Sequence, residues 1–169
     1  MSPNINMTLV KSLDATLEQG LSHLLISVVE DGASIGFLPP LNLEEALLYW
    51  RGVIEPGTML WVAKEEDLIV GTVQLQLASK ANARHRAEIA KLMVHPEHRR
   101  KGIAGLLMET AEAAAVSDAR ELIVLDTREG DPSNKLYSSL GYIEVGRIPD
   151  YARSASGKLH ATVFYYKKL

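Results

Sequence analysis

The run from Val94 to Gly105, Val-His-Pro-Glu-His-Arg-Arg-Lys-Gly-Ile-Ala-Gly, sets three cations immediately before a cluster of small residues. Pro96 cannot donate to a sheet ladder and so ends the apolar stretch before it. Gly102, Ile103, Ala104 and Gly105 then open a helical pattern. A helix N-terminus carries roughly half a positive charge and several unpaired N–H groups, which suits a phosphate oxyanion. Small residues at 102, 104 and 105 let that phosphate reach the backbone, and Arg99, Arg100 and Lys101 add charge-assisted contacts to a second one. The chemistry is that of a pyrophosphate cradle. Its spacing is neither G-x-G-x-x-G nor the P-loop with its Lys-Ser/Thr pair. The alternative is a solvated basic turn ahead of an alanine-rich helix.

A second candidate is Gly32-Ala33-Ser34-Ile35-Gly36, which matches the G-x-S-x-G pattern of a hydrolase nucleophile elbow. An elbow needs a strand before the serine and a helix after it. Here Leu17, Leu21, Leu24, Leu25 and Val28 recur at helical spacing upstream, and Pro39-Pro40 hold an extended chain downstream. The stretch is therefore expected to be a turn, with Ser34 no nucleophile. His95 and His98 flank Pro96, and no cysteine or carboxylate completes a metal set, so no metal is implied.

These residues need elements to place them. Thr8 to Leu13 reads as a first strand, Asp14 as the N-cap of the helix through Val28, and Asn42 with Glu45 as the capping box of a second helix that Glu55-Pro56-Gly57 stops. Two strand patterns flank Glu66-Asp67 as a hairpin, and Lys80 to Arg86 reads as a polar loop. Glu88 to Val94 is a strand, Ile103 to Ala114 a helix, and Leu122 to Leu125 an apolar run fit for a central strand covered on both faces. Strand, helix, buried strand implies a parallel βαβ crossover. A short helix from about Pro132 to Leu140, a strand at Tyr142 to Arg147, a polar loop through Tyr151 and a terminal strand from Ala161 to Lys167 complete the chain. The fold class is α/β: one domain over residues 1–169, with a mixed, mainly antiparallel sheet of six to seven strands and about four helices. The terminal strand, if at a sheet edge, could pair with a second copy, so monomer and homodimer are both open.

With 169 residues, 47% hydrophobic and 23% charged, the chain has the size and composition of one globular domain. No apolar run approaches the roughly 20 residues of a membrane span, and the N-terminus lacks a signal-peptide pattern. Without cysteine there is no disulfide framework and no thiol nucleophile. A cytoplasmic location and no membrane partner are expected. The net charge of -3, with one short basic run and no interleaved aromatics, argues against nucleic acid.

Arg99-x-x-Gly102-x-Ala104, behind a strand ending Leu92-Met93-Val94-His95-Pro96, resembles the acetyl-CoA signature of the GNAT superfamily of N-acetyltransferases. The resemblance extends to its tabtoxin resistance branch through GASIGF, RAEIAKLMV, LDT, LYSSLGY and GKLHATVFYYK, in that order. It implies a GNAT fold whose sheet splays at the parallel pair. It also implies acetyl-CoA as co-substrate, with its pantetheine arm beside Leu92, Met93 and Val94, its pyrophosphate at Arg99 to Gly105, and further contacts from Asn134 and Tyr137. The superfamily often carries an asparagine where this chain has Gly130. An acceptor amine with a pKa near 10 must lose a proton before attack. Asp126, at the carboxyl end of the central strand, is the expected base, Glu88 the competing one, and Tyr137 the donor to the leaving thiolate. Asp126 could instead cap a turn, Tyr137 sit half-buried in its helix, and Glu88 be a solvent-facing strand terminus. The resemblance sets Gly32, Ser34 and Phe37 at the acceptor site, together with Asp126, Tyr151 and His160. The expected reaction is direct acetyl transfer to a small-molecule primary amine, with a tabtoxinine-type β-lactam as one candidate. A protein N-terminus or lysine as acceptor, and a non-catalytic acyl-CoA-binding module, are the competing readings.

Overall fold

In the computed structural model, which describes residues 4–169, the chain runs β1 (Ile5–Val10), α1 (Ala15–Glu30), α2 (Leu43–Arg51), β2 (Thr58–Glu65), β3 (Leu68–Leu77) and β4 (Arg86–Val94). After a 3-10 turn (Pro96–His98) come α3 (Ile103–Ser117), β5 (Leu122–Arg128), α4 (Ser133–Ser139), β6 (Ile143–Arg153) and β7 (Leu159–Lys168). Local chemistry places the first helices. Asp14 is extended, and its carboxylate accepts from the Leu17 N–H at 2.8 Å. Asn42 and Glu45 form the reciprocal capping box that their spacing predicts. Each such cap stabilises a helix start by about 1 kcal/mol. α2 ends at Gly52, ahead of Pro56.

The strand order is β1-β2-β3-β4-β5-β7-β6, with β4 and β5 parallel and every other neighbouring pair antiparallel. α1 and α2 cover one face of the sheet, around the fully buried Trp50, Leu21 and Leu25. α3 covers the other through Ile103, Leu107 and Met108. This is the mixed α/β sheet with four helices expected from the sequence.

Several features differ from the expectation, among them the start of β4, which opens at Arg86 rather than Glu88. β1 starts at Ile5 and stops at Val10, because Leu13 leads into the helix cap. β5 is central, but only Ile123 and Leu125 are fully buried; α1 packs over β3 and β4, which leaves Val124 half-covered. The segment holding Tyr151 and His160 is not a loop but a hairpin, with Tyr151 on β6 and His160 on β7. A register shift between Ile148 and Ala152, with Asp150 at φ 53°, interrupts the period-2 pattern that would have revealed it. Pro149 is tolerated because β6 is an edge strand. Finally, β7 lies between β5 and β6, so the terminal strand has no free edge to offer a second copy.

The feature that positions the site is a bulge in β4. Thr72 and Gln74 of β3 face Met93 and Ala90, so three steps of β4 oppose two of β3, and Lys91 takes φ 54°. β4 pairs with β5 only from Arg86 to Glu88. Beyond Glu88 the strands part, and the β5-facing backbone of β4 has no ladder partner.

Gly71 of β3 fixes the helix beside that split. A Cβ there would lie 3.0 Å from Leu107 Cδ1 and from the Met93 carbonyl oxygen. Gly71→Ala is therefore expected to destabilise the fold by roughly 1–3 kcal/mol through overpacking. Urea denaturation reads this directly; a wild-type midpoint would mean that α3 does not rest on β3 as closely as described.

Candidate active site

The parted ends of β4 and β5 open a cleft of about 1290 Å³. One side is Glu88 to Val94 with the loop into α3; the other is Asp126 to Arg128, Ser133 and Tyr137. The turn Gly32–Gly36 closes a third side, and Tyr151 and Thr162 reach in from the β6–β7 hairpin.

At the helix end, Gly102 is left-handed at φ 79° and no side chain caps α3. The first helical bond to the Gly102 carbonyl comes from the Leu106 N–H at 3.1 Å, so the N–H groups of Ile103, Ala104 and Gly105 precede the ladder. A Cβ at Gly102 or Gly105 would meet nothing within 4 Å. Arg100 is also left-handed, at φ 62°. Turns that bring left-handed residues close together in this way help to make a concavity of backbone N–H groups suited to anions. Arg99 lines the cleft, donating to Asp31 Oδ2 at 2.5 Å, and Arg100 lines it beside Gly102. Lys101 does not line it. Its ammonium lies 3.7 Å from Glu65 Oε2 and 3.4 Å from His98 Nδ1, bracing the loop to the end of β2.

On the β5 side, Thr162 Oγ1 donates to Asp126 Oδ2 at 2.8 Å and to the Thr127 carbonyl at 3.0 Å. Asp126 is thus a half-buried strand carboxylate held by a buried hydroxyl, and it caps no turn. Tyr137 is 5% exposed and packs between Tyr142 and Tyr165, with ring centroids 5.8 and 5.9 Å away. Burial, then the Asp126 charge, pushes its phenol above the usual tyrosine range, which keeps it a proton donor. Glu88 presents its carboxyl to the cleft. Partial desolvation by the walls, then the charge of Asp126, raises its pKa. Lys91 is lowered by burial, against the pull of Asp126 and Glu88.

Of the residues singled out in the sequence, the cleft brings together Glu88, Leu92, Met93, Val94, Arg99, Arg100, Gly102, Ile103, Ala104, Gly105, Asp126 and Tyr137, with Gly32, Ser34 and Tyr151. Phe37, His160 and Asn134 stand outside its lining. Phe37 meets Tyr49 edge-on at 5.0 Å, and His160 pairs across to Ala152. Asn134 donates to the carbonyls of Arg128 and Asp131, both at 2.9 Å, and accepts from the Tyr165 hydroxyl at 2.7 Å. It shapes the turn where Gly130 sits at φ 85°. Ser34 is exposed in a turn that follows a helix, without the strand an elbow requires. Lys91, Arg128 and Thr162 carry no assigned role in the sequence reading: Lys91 needs the bulge to reach the cleft, and Arg128 and Thr162 meet the site only where β5 pairs with β7. Among the described residues no group of three histidine, aspartate or glutamate side chains could hold a metal, and no helix is long and apolar enough to cross a membrane.

The family model for the acetyltransferase (GNAT) family matches residues 30–142. The chain belongs to the GNAT acetyltransferase family. The match runs from the end of α1 to the start of β6 and so contains the cradle, the bulge, Asp126 and Tyr137. Human N-acetyltransferase 8B is 33% identical over 114 residues, which is 66% of this chain and 50% of that protein, so the chain spans about half the length of the curated relatives it matches. The GNAT fold is shared with ribosomal-protein-alanine N-acetyltransferase from Brucella melitensis (TM-score 0.80, 20% identity, covering 96% of this chain and 99% of that one). It is shared as well with an aminoglycoside 6'-N-acetyltransferase complexed with coenzyme A (TM-score 0.76, 17% identity, 96% of each chain). In this GNAT chain the split strands and the uncapped α3 lie on one continuous cleft with the Asp126 carboxylate and the Tyr137 phenol.

Proposed function

We propose that this GNAT protein is an acetyl-CoA-dependent N-acetyltransferase acting on a primary amine of a small molecule. The observation that carries the reading is the loss of β4–β5 pairing beyond Glu88, which leaves strand backbone open beside an uncapped helix N-terminus. The cleft fits the co-substrate. Bare Cα atoms at Gly102 and Gly105 leave room for a diphosphate over the N–H groups of residues 103–105, with Arg99 and Arg100 as its cations. The open backbone of Leu92, Met93 and Val94 suits an extended amide-bearing arm. When bound, acetyl-CoA supplies the acetyl group as an activated thioester.

The protein's part is positioning and proton movement. Asp126, oriented by Thr162, accepts the proton of an incoming ammonium at Oδ1, the oxygen Thr162 leaves free. Glu88, at the same mouth, is the second carboxylate and the competing base. Tyr137 retains its phenolic proton through neutral pH and is the donor for a departing thiolate. Unpaired β4 N–H groups offer hydrogen bonds to a developing oxyanion. Gly32, Ser34 and Tyr151 wall the acceptor side. The tabtoxin resistance branch, with a tabtoxinine-type amino compound as acceptor, is the finer form of this proposal, and the ordered segments from GASIGF to the β7 tail support it.

The test is transfer of isotope-labelled acetyl from acetyl-CoA to a panel of small amines and to N-terminal and lysyl peptides, read by mass spectrometry. Labelled small amines support the proposal. Label confined to peptides would replace it with protein acetylation, and acetyl-CoA binding without transfer to any amine would leave a binding module.

A further inference from the structure

We propose that Lys91 is a positioning residue of the acceptor site: its ammonium fastens the turn 32–36 to the bulged strand and stands as the counter-charge of Asp126 and Glu88. The word acceptor rests on the acetyltransferase reading; the electrostatic claim does not. Regular alternation along β4 would send residue 91 to the same side as Ile89, which packs in the α3 core. The extra residue of the bulge resets the alternation, and Met93 joins the α1–α2 core instead. Lys91 absorbs the change at φ 54°, a left-handed conformation that disfavours a residue with a Cβ.

What that conformation secures is visible at the side chain. Lys91 Nζ donates to the Ile35 carbonyl at 2.7 Å and stands 6.0 Å from the Phe37 ring centroid. A Cβ on Gly36 would lie 3.2 Å from Nζ, so the glycine at φ 93° is what lets the ammonium approach the turn. Arg128 holds the other end of the same turn, donating to the Gly32 carbonyl at 3.1 Å, but its charge is already matched by Asp131 at 2.9 Å. Arg99 is likewise matched by Asp31. Lys91 forms no direct ion pair among the described residues, yet it shares the cleft with Glu88 and Asp126, and each acts on the others through space. Arg86, on the strand below Glu88, is the other cation that acts on that carboxylate.

Lys91, with Arg86, opposes the burial and the Asp126 charge that raise Glu88, so its removal raises the proton affinity of Glu88 further. The experiment follows the 13C carboxyl signal of Glu88 in wild type, Lys91→Met and Lys91→Arg, with kcat/KM against pH for any amine that wild type acetylates. Lys91→Met is expected to move the Glu88 midpoint, and the acid limb with it, upward by about half a pH unit, a roughly threefold change in proton affinity. Lys91→Arg keeps the charge and stays near wild type. Amide exchange of residues 32–36 is expected to quicken in the methionine variant. Should that variant fail to fold, Lys91→Gln, which retains a donor for Ile35, reads the same charge. Unchanged midpoints in a folded variant overturn the proposal even if wild type is an active transferase. Shifted midpoints in a protein that acetylates nothing would uphold the electrostatic claim and sink the transferase reading instead.

Discussion

Gly102→Glu is expected to weaken acetyl-CoA binding by about 100-fold or more while leaving the fold intact. Two effects act in the same direction. The carboxylate would stand in the helix-end cradle, where the partial charge and N–H groups favour an anion, and would occupy it in place of the diphosphate. Any Cβ at φ 79° is also strained, by roughly 1–2 kcal/mol. The fold should survive, because a Cβ at that position meets nothing within 4 Å. Gly102→Asn separates the two effects: asparagine tolerates the left-handed region and brings no charge, so its loss of affinity should be several-fold only. Calorimetric titration with acetyl-CoA, beside a thermal melt of each variant, checks the result. Equal affinity for wild type and Gly102→Glu would remove the diphosphate from the end of α3.

Tyr137→Phe should lower kcat by about 10²–10⁴-fold with little change in acetyl-CoA affinity, the range in which a positioned proton donor contributes. The ring sits in a pocket of aromatic neighbours, and phenylalanine keeps that packing. The hydroxyl alone is lost. Because burial and the Asp126 charge raise the phenol above its ordinary value of 10.0, it stays protonated well into the alkaline range. Wild type should therefore show no loss of rate from Tyr137 near pH 10. A wild-type rate for the variant across the pH range would take Tyr137 out of the chemistry and leave it a packing residue.

Much of this was legible locally. Asp14 and Asn42 announce their helices because a cap is a bond between residues three apart. The β2–β3 hairpin follows from two strand patterns around Glu66-Asp67, and the crossover into β5 follows from strand, helix and apolar run in succession. The basic turn into Gly102 could be read as an anion cradle because all its parts lie within seven residues. Asp126 stood out by its place at the carboxyl end of the central strand, Tyr137 through the family resemblance, and both line the cleft.

Other parts were not legible. The hairpin of β6 and β7 was hidden because Pro149 and the left-handed Asp150 break the alternation that marks strands. Lys101 and Arg99 look alike in sequence, yet Glu65, far away in the chain, draws Lys101 off the cleft while Asp31 draws Arg99 along its wall. Asn134 reads as a polar helix residue; that it ties down the turn after β5 depends on Tyr165 arriving from the last strand.

The sequence by itself thus determined the class of fold, the caps, the crossover and a glycine-opened helix N-terminus behind a basic turn, all set by interactions among residues near one another in the chain. Tertiary structure decided which face of β4 carries Lys91, where β4 and β5 separate, and which polar side chains meet across the gap. Those outcomes turn on one extra residue in β4 and on β7 pairing between β5 and β6, and strand register is an agreement between distant segments that neither segment encodes alone.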